Sequence, residues 1–236
     1  MAQLAEQAER YDDMMQHMIN FCQLSPKLAI EERNLLSVAF KNAVGSRRAA
    51  WRIVSSVEVK GRTEGDLEKT QAASEYRSKV EEELQHICES ALSLLNTYLL
   101  EDAGTCKSQI FYCKMKADFN RYIADFSQGE VQLQASARAQ EAYEHVQKLV
   151  QKELPAADPI RLGMSLSWAV QQHDVEGNRE LAIKMARTAF DSAIEDLDNL
   201  PDELYKDSTS IMQLLQDNLT SWTSGAEHSS CSAQAK

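Results

Sequence analysis

Apolar residues recur every three or four positions along almost the whole chain, the period of a helix with one buried face. Leu92, Leu95 and Leu99 show this spacing, and no segment alternates between apolar and polar residues as a strand does. The pattern therefore predicts an all-α fold of about nine antiparallel helices. We place the helices at residues 2–9, 11–24, 30–60, 67–100, 106–127, 130–153, 158–175, 179–198 and 203–223.

The predicted helices are separated by short connections that contain helix-ending residues. Ser25-Pro26, residues 60–65 and Asn199-Leu200-Pro201 are examples, and such short connections favour antiparallel neighbours. We predict a single helical domain over residues 1–223. Residues 224–236 are rich in Ser, Ala and Gln and lack a periodic apolar face, which predicts a flexible C-terminal tail.

The charge of the chain limits its partners. There are 36 acidic and 25 basic residues, giving a net charge of -11, which repels nucleic acid and anionic lipid. The five cysteines have no CxxC spacing, and no secretory signal or membrane-length apolar run is visible. We expect a cytoplasmic protein with reduced thiols, compatible with nuclear presence, that uses no metal or cofactor and does not insert into membranes.

One stretch of the third predicted helix is strongly basic. At about 100° per residue, Lys41, Arg48 and Arg52 share one face with Gly45. Like charges stacked in this way repel one another, which favours binding of an outside anion. The alternatives are a solvated surface or pairing with acidic side chains of a neighbouring helix.

A second basic group lies on the fifth predicted helix. Lys114 and Arg121 are seven residues apart on one face, and Tyr122 follows Arg121. If the two helices meet, their guanidinium, ammonium and hydroxyl donors suit a dianionic phosphate ester. Because no nucleophile, general base or Gly-rich phosphate loop accompanies them, we predict that the site holds phosphate and does not transfer it.

Several long segments resemble the 14-3-3 family, over about residues 4 to 223. They are ERNLLSVAFKNAVGSRRAAWRIVSS, KMKADFNRYIADF, PIRLGMSLSWAV and AFDSAIEDLDNLPDELYKDSTSIMQLLQDNLTSWTS. The resemblance implies a nine-helix protomer that forms a cup-shaped homodimer, with heterodimers also compatible. It further implies an amphipathic groove for phosphoserine or phosphothreonine peptides in each protomer, an adaptor role and no enzymatic activity.

The resemblance also assigns roles to individual residues. It makes Lys41, Arg48, Arg121 and Tyr122 the phosphate pocket, which are the residues that helical geometry groups. The implied peptide groove comprises Arg52, Lys114, Leu166, Ser167, Val170, Asp174, Leu214, Asn218 and Trp222. Ser167 stands where the family pattern has Asn, Ser221 where it has Leu, and Gln171-Gln172-His173 where it has aromatic residues. We expect retained phosphate dependence with altered preference beside the phosphosite.

The N-terminal segment LAEQAERYDD resembles the dimer-forming part of the family. The resemblance makes Arg10 and Asp13 partners of Glu83 and Lys79 in a second subunit, with apolar contacts from Leu4, Ala5, Val54 and Tyr76. The interface would thus lie within residues 1–60 and part of the fourth helix. We predict a homodimer whose stability comes mainly from apolar burial, since surface ion pairs contribute little.

Two other functions fit parts of the sequence. Glu83 and His86 form a Glu-x-x-His pair like those of ferritin-like di-iron proteins, but that fold needs a second pair, and Glu141 and His145 have the wrong spacing. A helical scaffold that binds unphosphorylated partners is the nearer alternative, and phosphate dependence distinguishes it from a phosphopeptide adaptor.

Overall fold

The computed structural model describes residues 1–101 and 103–230, with only the backbone given for 225–230. Within these residues the protein forms nine α-helices and no strand, which confirms the predicted all-α class. The helices are α1 (Ala2–Gln7), α2 (Tyr11–Leu24), α3 (Ile30–Glu64), α4 (Leu67–Leu94), α5 (Cys106–Phe126), α6 (Gly129–Glu153), α7 (Pro159–Val170), α8 (Arg179–Asp196) and α9 (Asp202–Ser230).

Three helices continue into turns of different pitch. A π-helical turn, Leu95–Leu99, follows α4, and a second, Gln171–Val175, follows α7. A 3₁₀ turn, Leu197–Asn199, follows α8. The sequence predicted both π-helical turns, and Leu197 and Asp198 of the 3₁₀ turn, as parts of the preceding helices, because local pattern does not distinguish helices of different hydrogen-bond spacing. Asn199 lies outside the predicted helix, in the predicted connection.

The third helix is longer than predicted and is well capped. Its first turn is closed by Glu32, whose side chain accepts a 2.7 Å hydrogen bond from the backbone N–H of Ala29. The helix does not break at residue 60 but ends before Gly65, which has φ of 74°. Gly61 remains inside α3 and approaches Thr70 so closely that an added Cβ would lie 2.8 Å from its Oγ1.

The last helix also differs from its predicted end at residue 223, since α9 continues to Ser230. Gly225 alone does not end it, because an isolated glycine weakens a helix by only about 1 kcal/mol. The predicted flexible tail therefore overlaps the helix over residues 224–230. The rest of that tail, residues 231–236, lies outside the described residues, and its flexibility stays a prediction.

The chain divides into two compact units, Met1–Gln132 and Leu133–Lys236. In the first, α3 packs along α4, and its fully buried side chains include Leu36, Phe40 and Leu84. In the second, α7, α8 and α9 pack on one another around Leu162, Ala186 and Leu215. The sequence predicted one domain over residues 1–223, and this single-domain organisation stays a prediction.

Candidate functional site

The basic face of α3 lies in the first unit. Its residues differ in exposure: Lys41 is exposed, the Arg48 side chain retains 19% of its accessible surface, and that of Arg52 retains 59%. All three occur on one face because their spacings, seven and four residues, are close to whole turns. Arg48 is thus the most enclosed of the three cations.

Helix α5 brings Arg121 and Tyr122 to this face. The guanidinium carbons of Arg48 and Arg121 each lie 4.5 Å from the centroid of the Tyr122 ring. The ring itself is held by Phe119, which contacts it edge-on at a centroid distance of 5.6 Å. Two arginines from different helices therefore converge on one aromatic side chain.

Two carboxylates of α5 lie among these cations. Asp125 Oδ2 is 2.7 Å from Nη2 of Arg48 and 4.0 Å from Nη2 of Arg52. Asp118 Oδ2 is 2.6 Å from Nζ of Lys114, and its Oδ1 is 3.8 Å from Nη2 of Arg121. The alternative that the sequence left open, pairing with acidic side chains of a neighbouring helix, therefore applies to Arg48.

The pairing leaves this cluster positively charged. The ion pairs described above join four cations, Arg48, Arg52, Lys114 and Arg121, to the carboxylates of Asp118 and Asp125. Lys41 lies on the same face of α3 as Arg48. In addition, the buried Nε of Arg48 has no hydrogen-bond partner within the described chain. An unsatisfied buried donor and an excess of positive charge both favour a further anion.

Cys88 is the nucleophilic side chain whose ionisation Arg48 influences. Burial raises the pKa of the Cys88 thiol to about 12, although the nearby Arg48 charge acts in the opposite direction. The thiol is therefore protonated at neutral pH and is a poor nucleophile. The basic cluster has donors that can bind an anion. The protonated Cys88 thiol beside it is not suited to act as a covalent nucleophile.

Within residues 1–101 and 103–230, no group of three or more His, Cys, Asp or Glu side chains is placed to hold a metal ion. No helix in the described part of the chain has both the length and the apolar character needed to cross a bilayer.

The second unit contains the other predicted groove residues, on α7 and α9. Leu166 and Val170 of α7 are partly buried and pack against the core of this unit, and Ser167 is also partly buried. On α9, Trp222 is buried, whereas Leu214 is 52% exposed. Asn218 is partly exposed, between these two residues in sequence. Leu214 thus presents apolar surface that this unit does not cover.

The π-helical turn after α7 is built on polar contacts. Gln171 is fully buried, and its Nε2 donates to Ser136 Oγ at 2.9 Å and to Glu176 Oε1 at 3.0 Å. Gln172 donates to Gln140 Oε1 at 2.9 Å. Buried amides of this kind need directed partners, unlike aromatic rings. Hydrogen bonds therefore hold the backbone at this turn.

His173 joins this turn to the groove residues. Its ring stacks on Trp222 at a centroid distance of 4.6 Å, and its Nδ1 is 2.7 Å from Oδ1 of Asp174. The backbone oxygen of Trp222 also accepts a hydrogen bond from Arg179. Contacts within the second unit therefore hold the predicted groove residues Asp174 and Trp222 and the neighbouring His173 in place.

Comparison with known proteins identifies the family. The family model described as 14-3-3 protein matches residues 1–223. The chain belongs to the 14-3-3 family. This confirms the resemblance stated from the sequence.

Curated relatives extend over nearly the whole chain. The checkpoint signal transducer rad25 of Schizosaccharomyces pombe is 48% identical over 228 residues, which cover 97% of this chain and 84% of that protein. The 14-3-3-like protein of Chlamydomonas reinhardtii is 49% identical, with coverages of 95% and 87%. The 14-3-3 protein beta/alpha-A of Xenopus laevis is 48% identical, with coverages of 94% and 91%. These similarities support a role for this 14-3-3 protein as an adaptor in signal transduction.

The predicted 14-3-3 dimer residues all lie in the first unit. Leu4 and Tyr76 are 61% and 56% exposed, whereas Ala5 is buried in its own chain and Val54 is partly buried. Lys79 is exposed. Ala5 therefore supports the packing of α1 and offers little surface to a second subunit.

Three of the four charged residues predicted for the 14-3-3 interface, Arg10, Asp13 and Glu83, have partners in their own chain. Arg10 Nη2 lies 2.5 Å from Asp13 Oδ2. Glu83 accepts a 3.1 Å hydrogen bond from Nε of Arg47, which also contacts Asp12. Contacts between subunits would have to replace or share these pairs. Sequence reasoning did not identify Arg47 in this role, although its position beside Arg48 on a different helical face is visible in the sequence.

Proposed function

We propose that this 14-3-3 protein binds phosphoserine or phosphothreonine peptides through Lys41, Arg48, Arg121 and Tyr122. The observation that carries the proposal is the convergence of Arg48 and Arg121 on Tyr122, with both guanidinium carbons 4.5 Å from its ring. Planar guanidinium groups bind phosphate oxygens through paired donors. Tyr122 adds one neutral hydroxyl donor, and Lys41 adds a point charge.

The charge of the cluster supports selectivity for a phosphorylated side chain. A phosphate monoester carries about -1.5 to -2 charges and three acceptor oxygens, whereas an unmodified Ser or Thr carries neither. Four cations joined to the carboxylates of Asp118 and Asp125, with Lys41 on the same face of α3, favour the charged ligand. The protonated Cys88 beside Arg48 supports binding without phosphoryl transfer. The protein therefore acts as an adaptor and catalyses no reaction.

The remaining groove assignments stay predictions. The expected peptide contacts are Arg52, Lys114, Leu166, Ser167, Val170, Asp174, Leu214, Asn218 and Trp222. The exposed apolar side chain of Leu214 and the partly exposed amide of Asn218 are suited to an extended peptide. A cytoplasmic location and the absence of nucleic-acid partners also stay predictions.

The adaptor would act as a homodimer. The exposed apolar side chains of Leu4 and Tyr76 support this part of the proposal, because large exposed apolar residues on one unit favour association. A client with two phosphosites would bind its second site intramolecularly, which raises avidity by roughly 10²- to 10⁴-fold. The dimer would thereby clamp, mask or bridge phosphorylated clients.

A fluorescence-polarisation titration tests the proposal with three proteins and two peptides. The peptides are a phosphoserine peptide and its unphosphorylated twin. The proteins are the natural protein, Lys41→Glu, and the control Lys107→Glu, which makes the same charge change at an exposed position at the start of α5. We expect phosphate-dependent binding that Lys41→Glu weakens at least about tenfold and the control leaves unchanged.

Equal binding of both peptides would refute the phosphopeptide proposal. It would instead support the scaffold for unphosphorylated partners. Binding that is phosphate-dependent but insensitive to Lys41→Glu would refute the assignment of the phosphate site.

A further inference from the structure

A separate cavity lies among α6, α7 and α8 of the second unit. It encloses about 350 Å³, within the range typical of small-molecule sites. Apolar and aromatic side chains, including Trp168, Leu181 and Met185, form much of its lining. Its lining includes none of the residues proposed for phosphopeptide binding. Its ligand would therefore not need to compete directly for those side chains.

The charge of this cavity differs from that of the whole protein. None of the thirteen residues that line it is acidic, although the chain has 36 acidic and only 25 basic residues. Arg161 and Lys184 give the lining two positive charges. An isolated basic lining on an acidic protein favours an anionic ligand, because local charge dominates at short range.

The two cations are presented differently. Nη1 of Arg161 donates a 2.8 Å hydrogen bond to the backbone oxygen of Leu154, which orients the guanidinium group. Asp196 interacts electrostatically with Arg161 but does not line the cavity. Lys184 is exposed and forms no ion pair in the described part of the chain. Its ammonium group is thus available to an anion at the mouth of the cavity.

Gln147 adds an unsatisfied acceptor at this site. Its Oε1 is buried and has no hydrogen-bond partner among the described residues, and its side chain lines the cavity. Leaving a buried acceptor unpaired is unfavourable, and a donor on a bound ligand would remove this cost. The terminal torsion of a glutamine is broad, so the amide can turn toward a donor in the cavity.

The wall of the cavity is suited to an aromatic ligand. Trp168 is fixed by its Nε1, which donates to Gln140 Oε1 at 3.2 Å, and by stacking on Tyr143 at a centroid distance of 6.5 Å. A fixed aromatic face loses little conformational entropy when a ring binds against it. Leu181 is 38% exposed and gains burial if a ligand covers it.

We propose that this cavity binds a small amphipathic anion. The ligand would place an apolar, preferably aromatic body against Trp168 and Met185 and an acidic group near Arg161 and Lys184. An N–H or O–H group of the ligand would donate a hydrogen bond to Oε1 of Gln147. This binding site is independent of the phosphopeptide function proposed above.

Anilinonaphthalene sulfonate is a suitable probe because it combines an aromatic body, one N–H donor and a sulfonate. Its binding is measured by fluorescence titration with the phosphoserine peptide absent and then saturating. We compare the natural protein with Lys184→Glu and Thr188→Trp, which places a large ring at an exposed residue of the cavity lining. The control is Lys148→Glu, an exposed α6 residue that does not line the cavity.

We expect saturable binding that persists in the presence of the phosphopeptide. Lys184→Glu and Thr188→Trp should each weaken it about tenfold or more, whereas Lys148→Glu should leave it unchanged. Circular dichroism establishes that each variant is folded. No saturable binding up to about 1 mM probe, or equal binding by all four proteins, would overturn the proposal. Failure of the phosphopeptide to bind would affect only the proposed adaptor function, since the variants still report on this cavity.

Discussion

Asp125 holds Arg48 by a 2.7 Å contact between its Oδ2 and the arginine Nη2. The side chains retain only 18% and 19% of their accessible surface. This pair would therefore have two opposing effects on the proposed phosphate binding. It neutralises and orients Arg48, and it places a negative charge beside an incoming phosphate.

We predict that Asp125→Asn destabilises the protein by about 1–2 kcal/mol because Arg48 loses its partner. The same change should raise phosphopeptide affinity about threefold, because the repulsive charge is gone. Thermal unfolding with and without phosphopeptide measures both effects. Asp12→Asn is the control, since it also removes an arginine partner, on Arg47, and should leave peptide affinity unchanged. Weaker peptide binding by Asp125→Asn would show that orientation of Arg48 outweighs repulsion.

Tyr122 should contribute to binding in two separable ways. Tyr122→Phe keeps the ring against both guanidinium groups but loses the hydroxyl donor, so phosphopeptide affinity should fall about tenfold. Tyr122→Ala also removes the ring and should weaken binding further. Polarisation titrations measure both losses. Equal affinities for the two variants would mean that the ring does not help to position the arginines.

Ser167→Asn should strengthen peptide binding. An Asn side chain can both donate to and accept from a peptide backbone through one planar amide, which the shorter Ser hydroxyl does less well. One added hydrogen bond of about 1 kcal/mol corresponds to about a fivefold gain in affinity. Titration calorimetry with the phosphopeptide measures this gain, with Ser210→Asn on an exposed part of α9 as control. An unchanged affinity would remove Ser167 from the peptide contacts.

Tyr76 should be required for the homodimer. It is 56% exposed in the single chain, so Tyr76→Glu should leave the fold intact and place a charge in the proposed apolar interface. Light scattering at micromolar protein should give a dimer for the natural protein and a monomer for this variant. Tyr205→Glu, at a 49% exposed tyrosine of α9, should remain dimeric. A monomeric natural protein would contradict the dimer proposal itself.

Cys22 and Cys88 should resist alkylation in the folded protein. Burial raises the pKa of each thiol to about 12, so at pH 8 roughly one thiol in ten thousand is ionised. At pH 9 the solution is still well below the pKa of both thiols in the folded protein. Both should therefore remain protonated and unreactive toward iodoacetamide. In urea their ordinary pKa returns and both should react, as peptide mass spectrometry would show. Fast alkylation of Cys88 without urea would contradict this assignment of a protonated, buried thiol.

The convergence of the basic residues was predictable because it depends on helical spacing. Lys41 and Arg48 share a face through their seven-residue separation, and Arg121 needed only a neighbouring helix to meet them. The pairing of Arg48 with Asp125 was not predictable in the same way. It depends on which faces of α3 and α5 meet, and that is decided by packing between residues far apart in sequence.

The helix classes and boundaries likewise divide into features that local sequence predicts and features that depend on tertiary contacts. Periodic apolar residues predicted every α-helix, but the π-helical turn that begins at Gln171 depends on the tertiary hydrogen bonds to Ser136 and Glu176. The continuation of α3 past Gly61 likewise depends on its packing against Thr70. From the local sequence alone, Gly61 predicts the end of a helix. In the folded chain, the absence of a side chain at Gly61 lets α3 approach Thr70 closely.

The small size of Gly61 also governs geometry far from it. A methyl group at Gly61 would push α3 and α4 apart next to the turn that joins them. These are the two longest helices of the first unit. Arg48 lies thirteen residues earlier on α3, about 20 Å from Gly61 along the helix axis. A tilt of a few degrees at Gly61 would move the Arg48 guanidinium group by about an ångström. A residue outside the proposed phosphate site therefore helps to position a residue within it.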